Sequence, residues 1–326
     1  MKISNSNRLF PLFKNNRFYN NHIERPESLL FQTIPSFICS FYNRKKRLPE
    51  NKNEWIVKQA TLDSSIEPVI TWIGHASFLI QLGGINILTD PVFGNVSPFF
   101  SRILPPGIPV SQIPRVDVVL LSHNHPDHCD VESLKSLKKY YPDLMLLVPK
   151  GDKEWLSKKG FKNILEHTWW DEYRLLRNVH SVTFTFLPAH HWSAKTLFDR
   201  NRSLWGSWMI THNDKSIYFA GDSAYADHFK HIALEYPHIQ AALMPIAPGE
   251  PHAWMRKTHL DAQQAVHAFL DLEAKHFIPM HWGTFQFGND NFADPLTRLK
   301  IAWERYAGPL QDKKLSILKF GQRTAI

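Results

Sequence analysis

The chain has 326 residues, 43% of them apolar, with 22 Phe and 11 Trp, which suffices for one large domain or two small ones and excludes an intrinsically disordered chain. Its formal net charge of +8 biases it toward anionic partners, phospholipid or nucleic acid, without choosing between them. Two cysteines, Cys39 and Cys129, exclude a disulfide framework, and no apolar run reaches the roughly 18 residues of a membrane-spanning helix. The opening Met1-Lys-Ile-Ser-Asn-Ser-Asn-Arg8 lacks a signal-peptide core, so the expectation is a cytoplasmic protein, soluble or peripherally membrane-associated.

Residues 1–60 read as an N-terminal arm, rich in Asn, Arg and Lys and poor in strand pattern, and residues 61–326 as the main domain. In the arm, Leu30, Ile34, Phe37 and Phe41 recur at near-helical spacing just ahead of the basic run Arg44-Lys-Lys-Arg47. That pattern suits an anionic membrane surface or an arm packed on the main domain, and Pro35 interrupts any continuous helix. Downstream, Pro68–Trp72, Ser77–Leu82 and Ile85–Thr89 predict strands, with Gly83-Gly84 as a hairpin turn. The nearly continuous apolar run Val116–Ser122 predicts a buried central strand, and Val131–Tyr140 a helix. Further strands are predicted at Met145–Val148, Val182–Leu187, Ser216–Ala220, Gln240–Met244, His276–Pro279 and Ser316–Phe320. Helices are predicted at Asp152–Lys159, Tyr225–Glu235, Asp261–Leu272 and Pro295–Tyr306. Two blocks of strands with interspersed helices predict an α/β fold, a four-layer αβ/βα sandwich, and no internal repeat is visible.

Five segments bearing His or Asp each follow a predicted strand: Thr89-Asp90-Pro91, Ser122–His128, Pro188-Ala-His-His191, Ala220-Gly-Asp222 and Pro279-Met-His281. Residues at strand ends can converge on one edge of a sheet and form a site there. In Ser122-His-Asn-His-Pro-Asp-His128, His123 and His125 can face one metal ion, while Asp127 and His128 turn toward a second. Neutral imidazole and carboxylate are ligands that zinc takes, with iron and manganese as alternatives. A two-metal pair needs a bridging carboxylate, for which Asp222 after Gly221 is the natural candidate. His191, with His190 as its rival, and His281 would complete one site each. Cys129 reads either as a thiolate ligand or as a small buried residue at the strand-to-helix turn.

These residues carry a resemblance. His-Asn-His-Pro-Asp-His resembles the His-x-His-x-Asp-His signature of the metallo-β-lactamase superfamily. More narrowly, the chain resembles the N-acylphosphatidylethanolamine-hydrolysing phospholipase D family, through Thr71-Trp-Ile-Gly-His-Ala76, Leu88-Thr-Asp-Pro-Val-Phe93, Leu121–His128 and His191-Trp192. Leu204-Trp-Gly-Ser-Trp208, Phe219-Ala-Gly-Asp222 and His281-Trp-Gly-Thr-Phe285 extend it, from about residue 70 to the C-terminus. The resemblance implies the αβ/βα fold of that superfamily and two Zn2+ ions. It places His123, His125 and His191 on one ion and Asp127, His128 and His281 on the other, with Asp222 bridging. It also sets His259 near the substrate phosphate, although Thr258 stands where the family often has Gln. Residues 1–60 show no convincing match.

The implied reaction is in-line attack on the phosphorus of a phospholipid phosphodiester, with Asp127, Asp222 and His259 catalytic. Asp127 orients the nucleophile, and His259 protonates the leaving alcohol or clamps the phosphate. Phe99, Phe100, Trp254 and Met255 are candidates to meet acyl chains or simply to pack within the domain. An RNA-processing nuclease would share every ligand, but the Trp-Gly-Ser-Trp and His-Trp-Gly-Thr-Phe segments and the lack of an RNA-binding appendage count against a nucleic-acid partner. A lactonase or β-lactamase is a second alternative, although many β-lactamases put Cys where Asp222 stands. A non-catalytic membrane-associated binding protein would have no need of seven ligands. Lipid enzymes of this resemblance include dimers, so the resemblance is compatible with a homodimer.

Overall fold

The computed structural model describes residues 8–20, 48–57, 62, 65–98, 100–196 and 198–326. The amphipathic stretch from Leu30 to Phe41, the basic run ending at Arg47, Cys39 and Phe99 lie outside the described residues.

The chain opens with a hairpin of β1 (Leu12–Lys14) and β2 (Arg17–Tyr19), where the sequence predicted no strand. Then follow β3 (Val69–Gly74), β4 (Ser77–Leu82), β5 (Ile85–Thr89), β6 (Val118–Leu120), α1 (Val131–Tyr140), β7 (Met145–Pro149), α2 (Lys153–Lys158) and β8 (Ile164–His167). A second series comprises β9 (Glu172–Arg177), β10 (His180–Leu187), β11 (Ser207–His212), β12 (Lys215–Phe219), α3 (His228–Glu235), β13 (Ala241–Pro245), α4 (His252–Met255), α5 (Ala262–Asp271), β14 (His276–Met280), α6 (Asp294–Arg305) and β15 (Lys314–Leu315). The last strand, β16 (Arg323–Ala325), returns to the first series and pairs with β3.

Two seven-stranded sheets result, ordered β16-β3-β4-β5-β6-β7-β8 and β15-β14-β13-β12-β11-β10-β9. Each series repeats one plan: an antiparallel meander (β3–β5, β9–β12), then parallel strands fed by crossovers (β5–β8, β12–β15). The sequence shows no trace of this repeat, because it is one of topology rather than of side chains.

Layering follows from which face each residue buries. Phe78 and Ile80 of β4 join Phe186, Trp208, Ile210 and Phe219 in the core between the sheets. The alternate residues Leu79, Leu88, Val119 and Leu146 meet Leu134 and Leu137 of α1 and Leu156 of α2 on the outer face of the first sheet. Phe229 of α3, Phe269 of α5 and Leu299 of α6 cover the second sheet. The observed architecture is therefore the four-layer αβ/βα sandwich expected, with the central parallel strands β5, β6, β13 and β14 buried on both faces.

Besides the hairpin, four strands, β8, β9, β11 and β16, are absent from the sequence expectation. β8 is short, β9 is an edge strand whose residues alternate between exposed and half-buried, and β11 lies inside the Trp-Gly-Ser-Trp segment. The strand predicted at 316–320 is not one: β15 ends at Leu315, and Phe320 makes only an isolated bridge to Ile56. An apolar run there is buried by packing against Trp72 and Trp282 instead of by a ladder.

Candidate metal centre

The carboxyl ends of β3, β5, β6, β10, β12 and β14 all deliver chemistry-bearing side chains to one edge of the sandwich, the edge where open α/β sheets place ligands. Local backbone geometry lets them do so. Asp90 (φ 31), His75 (φ 54) and His281 (φ 65) each leave their strand in a left-handed turn. Gly221 (φ 58) must be glycine for a second reason: a Cβ there would lie 2.5 Å from Ser122 Cβ, where the two sheets touch. The turn after β6 is held from three sides. Trp208 Nε1 donates to Leu121 O at 2.9 Å, Asn124 Nδ2 donates to Asp152 Oδ1 at 2.9 Å, and the His128 amide donates to His125 O at 3.0 Å.

One group of nitrogens is formed by His123, His125 and His191. His191 is fixed by its Nδ1, 2.8 Å from Thr258 O, so its Nε2 is a bare lone pair. Ser122 Oγ gives its hydrogen to Asp90 Oδ2 at 2.5 Å and must therefore accept from His123 Nδ1 at 2.9 Å, which leaves His123 Nε2 bare as well. Both lone pairs converge on His125 Nδ1, at 2.8 Å and 3.3 Å. A single proton on His125 cannot serve both. A tetrahedral cation with metal–nitrogen bonds near 2.05 Å holds its nitrogens about 3.3 Å apart, so the three rings fit one.

The second group is His75, Asp127, His128 and His281. His128 Nε2 stands 3.2 Å from His281 Nε2, 3.5 Å from Asp127 Oδ2 and 3.3 Å from Asp222 Oδ2. Its other nitrogen, Nδ1, faces Asp90 Oδ2 at 2.7 Å. Asp222 spans the two groups: Oδ1 is 3.1 Å from His281 Nε2, and Oδ2 is 3.8 Å from His191 Nε2. His75 Nε2 lies 3.1 Å from Asp127 Oδ2, and its ring packs 3.9 Å from that of His281.

Burial and mutual proximity set the electrostatics. Burial first, then neighbouring histidines, hold His123 well below the usual imidazole range; burial does the same for His191 and lowers His125 to about 4. Burial pushes Asp127 and Asp222 up, but the adjacent His128 outweighs it and holds both carboxyls well below their usual range. Burial likewise opposes charge on His128, yet Asp222 and Asp127 together raise it well above an ordinary histidine. The metal-free cluster thus keeps a proton on His128, where a cation would replace it.

His259 reaches the mouth of the site with its side chain 18% exposed, Nδ1 3.4 Å from Asp222 Oδ2. Burial lowers its pKa to about 4, so it is neutral at pH 7. The structure brings in His191 and not His190, whose amide bonds Ser223 Oγ. Cys129 is buried with its thiol pushed up to about 12 by burial, which fits a small structural residue and not a thiolate ligand. Phe100 packs on Phe287, which in turn flanks His75 and His281, so an apolar wall borders the second group. The cavity beside it, lined by Ile103, His281, Phe285 and Phe292, is only about 30 Å3, room for water and not for an acyl chain. Trp254 and Met255 lie half-buried on α4, and Met255 O accepts from the His259 amide at 2.7 Å.

Two residues of the candidate site are not assigned by the sequence. The sequence marks Asp90 only by its place after a strand, whereas in the fold it accepts from Ser122 and His128 and so orients one ring in each group. His75 went unassigned, and the signal that could have found it is its identical placement at the end of β3.

Residues 85–282 match the family described as Beta-lactamase superfamily domain. The N-acyl-phosphatidylethanolamine-hydrolyzing phospholipase D, mitochondrial, of Saccharomyces cerevisiae is 34% identical over 243 residues, 72% of this chain and 51% of that protein. The N-acyl-phosphatidylethanolamine-hydrolyzing phospholipase D 1 of Caenorhabditis elegans is 31% identical over 242 residues, 71% of this chain and 68% of that protein. The chain thus spans about half the length of the yeast relative. Among solved structures, an isothiocyanate hydrolase from Delia radicum gut bacteria superposes with a TM-score of 0.63 at 18% identity, covering 79% of this chain and 99% of that one.

Proposed function

Because the chain belongs to the β-lactamase superfamily and, within it, to the N-acylphosphatidylethanolamine-hydrolysing phospholipase D family, we propose that it is a dinuclear, zinc-dependent phosphodiesterase. Its substrate is N-acylphosphatidylethanolamine or a related phospholipid, cleaved to phosphatidic acid and an N-acylethanolamine. The observation that carries this reading is Asp222, one carboxylate turned toward both nitrogen groups. His123, His125 and His191 would hold one ion, Asp127, His128 and His281 the other. An all-nitrogen-and-oxygen donor set suits zinc, with manganese and iron as the alternatives. When bound, such a pair supplies Lewis acidity for the phosphoryl oxygens and brings the pKa of a water toward neutrality.

The chain's own residues supply orientation. His75 fixes the carboxylate of Asp127 through the oxygen it touches, and Asp90 fixes the rings of His123 and His128. His259, neutral at pH 7, serves the phosphate as a hydrogen-bond donor and not as a charged clamp, which leaves protonation of the alcohol to water. The apolar wall of Phe100 and Phe287 beside the second group supports a lipid over an RNA substrate. No helix among the described residues is long and apolar enough to cross a membrane, which is compatible with peripheral contact.

The test joins metal analysis to a substrate screen. Two metals per chain are expected, with turnover of N-acylphosphatidylethanolamine in mixed micelles above that of precursor tRNA, lactones and β-lactams. Asp222→Asn should lose bound metal and about 10³-fold or more of the activity together. Full turnover by a metal-free Asp222→Asn protein would sink the proposal.

A further inference from the structure

The three exposed phenylalanines among the described residues, Phe10 (51%), Phe13 (58%) and Phe198 (83%), sit on two adjoining segments. Phe10 and Phe13 belong to the β1–β2 hairpin and its approach, and Phe198 to the loop after His191. The two segments are joined by backbone: the Phe18 amide donates to Asn201 O at 2.8 Å, Asn201 Nδ2 returns a bond to Phe18 O at 3.0 Å, and Arg17 donates to Arg200 O. Exposed aromatic side chains scattered singly need no explanation, but gathered ones mark a surface that meets something.

Charge says what. Beside the hairpin lies an open cleft of about 760 Å3 whose walls include Phe13, Lys150, Lys153, Lys158 and Arg202 against Glu154 and Glu166. Both acids are already engaged, Glu154 with Lys158 at 2.5 Å and Glu166 with Lys150 at 3.4 Å. No carboxylate among the described residues pairs with Lys153 or Arg202, so four cations of the cleft face two carboxylates and its wall is net positive.

The same face adjoins the metal centre. Lys150 and Lys153 follow the carboxyl end of β7, on the edge that carries the candidate ligands, and Asp152 between them bonds Asn124 of the His123–His128 turn. Arg200 stacks at 4.5 Å on Trp192, whose ring is 4.2 Å from that of His125. By contrast, exposed Leu176 and Val179 lie at the β9–β10 turn, at the far end of β10 from His191.

We propose that the β1–β2 hairpin, the 193–202 loop and the 150–158 segment form a docking surface for an anionic lipid bilayer, with the aromatic side chains entering the interface and the cations meeting lipid phosphates. Apolar insertion and basic attraction act together at such interfaces, the second being screened by salt. The proposal rests on the phospholipid reading only for why the metal centre should face a bilayer; binding is read without turnover, so the two can fail separately.

The metal-loaded 326-residue chain is sedimented with vesicles of phosphatidylcholine alone and with 30% phosphatidylglycerol. At low salt, partition onto the anionic vesicles is expected to exceed that onto neutral ones about tenfold, and to fall as salt is raised. Phe13→Ser/Phe198→Ser should lose about tenfold of that partition, and Lys14→Glu/Lys153→Glu most of its dependence on anionic lipid, with metal content and hydrolysis of a water-soluble phosphodiester unchanged. Val179→Ser, far from the face, should bind as wild type. The proposal is overturned if the wild-type protein ignores anionic vesicles, if both double variants bind undiminished, if Val179→Ser loses as much as they do, or if a single-stranded RNA is bound at the same salt while vesicles are not.

Discussion

Asp90 shows how much of this candidate site rests on one fully buried carboxylate. One buried carboxylate takes hydrogen bonds from the Ser122 amide at 2.7 Å, the Ser122 hydroxyl and His128 Nδ1. Through Ser122 it leaves His123 Nε2 bare in one nitrogen group, and directly it orients His128 in the other. Asp90→Asn cannot accept at both oxygens, so both rings lose their assigned tautomer. Affinity should fall about 10- to 100-fold at both metal sites, measured by chelator competition. A loss confined to one site would show that only one of the two branches matters. In the sequence, the run Ser122–His128 announces itself because three histidines and an aspartate fall in six positions. Asp90 and His75 carry no such density, and their roles exist only in who their neighbours are.

Among the elements, the contact between the sheets at the ends of β6, β11 and β12 decides whether those residues meet. Trp208 of β11 donates to Leu121 O in the opposite sheet, and Gly221 after β12 passes so close to Ser122 that no Cβ fits. Gly221→Ala combines that clash with a left-handed φ, so it should destabilise the fold by about 1–3 kcal/mol and lower metal occupancy by moving Asp222. Calorimetry with metal analysis checks both effects. Unchanged stability and full occupancy would mean that the sheets can part there at no cost. The strands carrying these groups were legible where they are continuous apolar runs, as in β6 and β12. β9 and β11 were not, because an edge strand alternates weakly and a tryptophan-rich strand looks like a motif before it looks like a ladder. The β1–β2 hairpin was illegible for a related reason: three-residue strands are stabilised by docking on residues 191–205, which no local pattern encodes.

For the molecule as a whole, a buried polyhistidine cluster makes stability depend on pH and on metal. Burial lowers His75 and His228 to about 3 and His125, His259 and His276 to about 4. Their unfolded values lie near 6.5, so the unfolded chain binds protons first as pH falls. Their contribution is complete above about pH 6.5 and is lost as pH drops toward 3–4. His128 has the opposite sign, its raised pKa adding stability at low pH that disappears as pH rises through the folded value. With His123 and His191 also held well below the usual imidazole range, the lowered histidines outnumber His128 and predict that the metal-free protein melts at steadily lower temperature between pH 7 and pH 4, as scanning calorimetry would record. A melting temperature that rose on acidification would contradict this. At pH 7, a hundredfold excess of metal over its dissociation constant should add about 2.7 kcal/mol for each occupied site, so that chelating both proposed ions lowers Tm by about 8 °C.

The sequence by itself determined the candidate ligand types, their order and their shared placement at strand ends, because hydrophobic runs fix the strands and the polar residues directly after them have little choice of location. It also determined the sandwich class, since period-2 runs alternating with period-3.6 segments admit few layerings. The tertiary structure alone decided that Asp222 stands between the two nitrogen groups, that Asp90 serves both, that His259 is neutral, and that an N-terminal hairpin brings exposed phenylalanines beside the metal edge. Each of these depends on distances across sheets or on burial, quantities that arise only when segments far apart in the chain are brought within a few ångström.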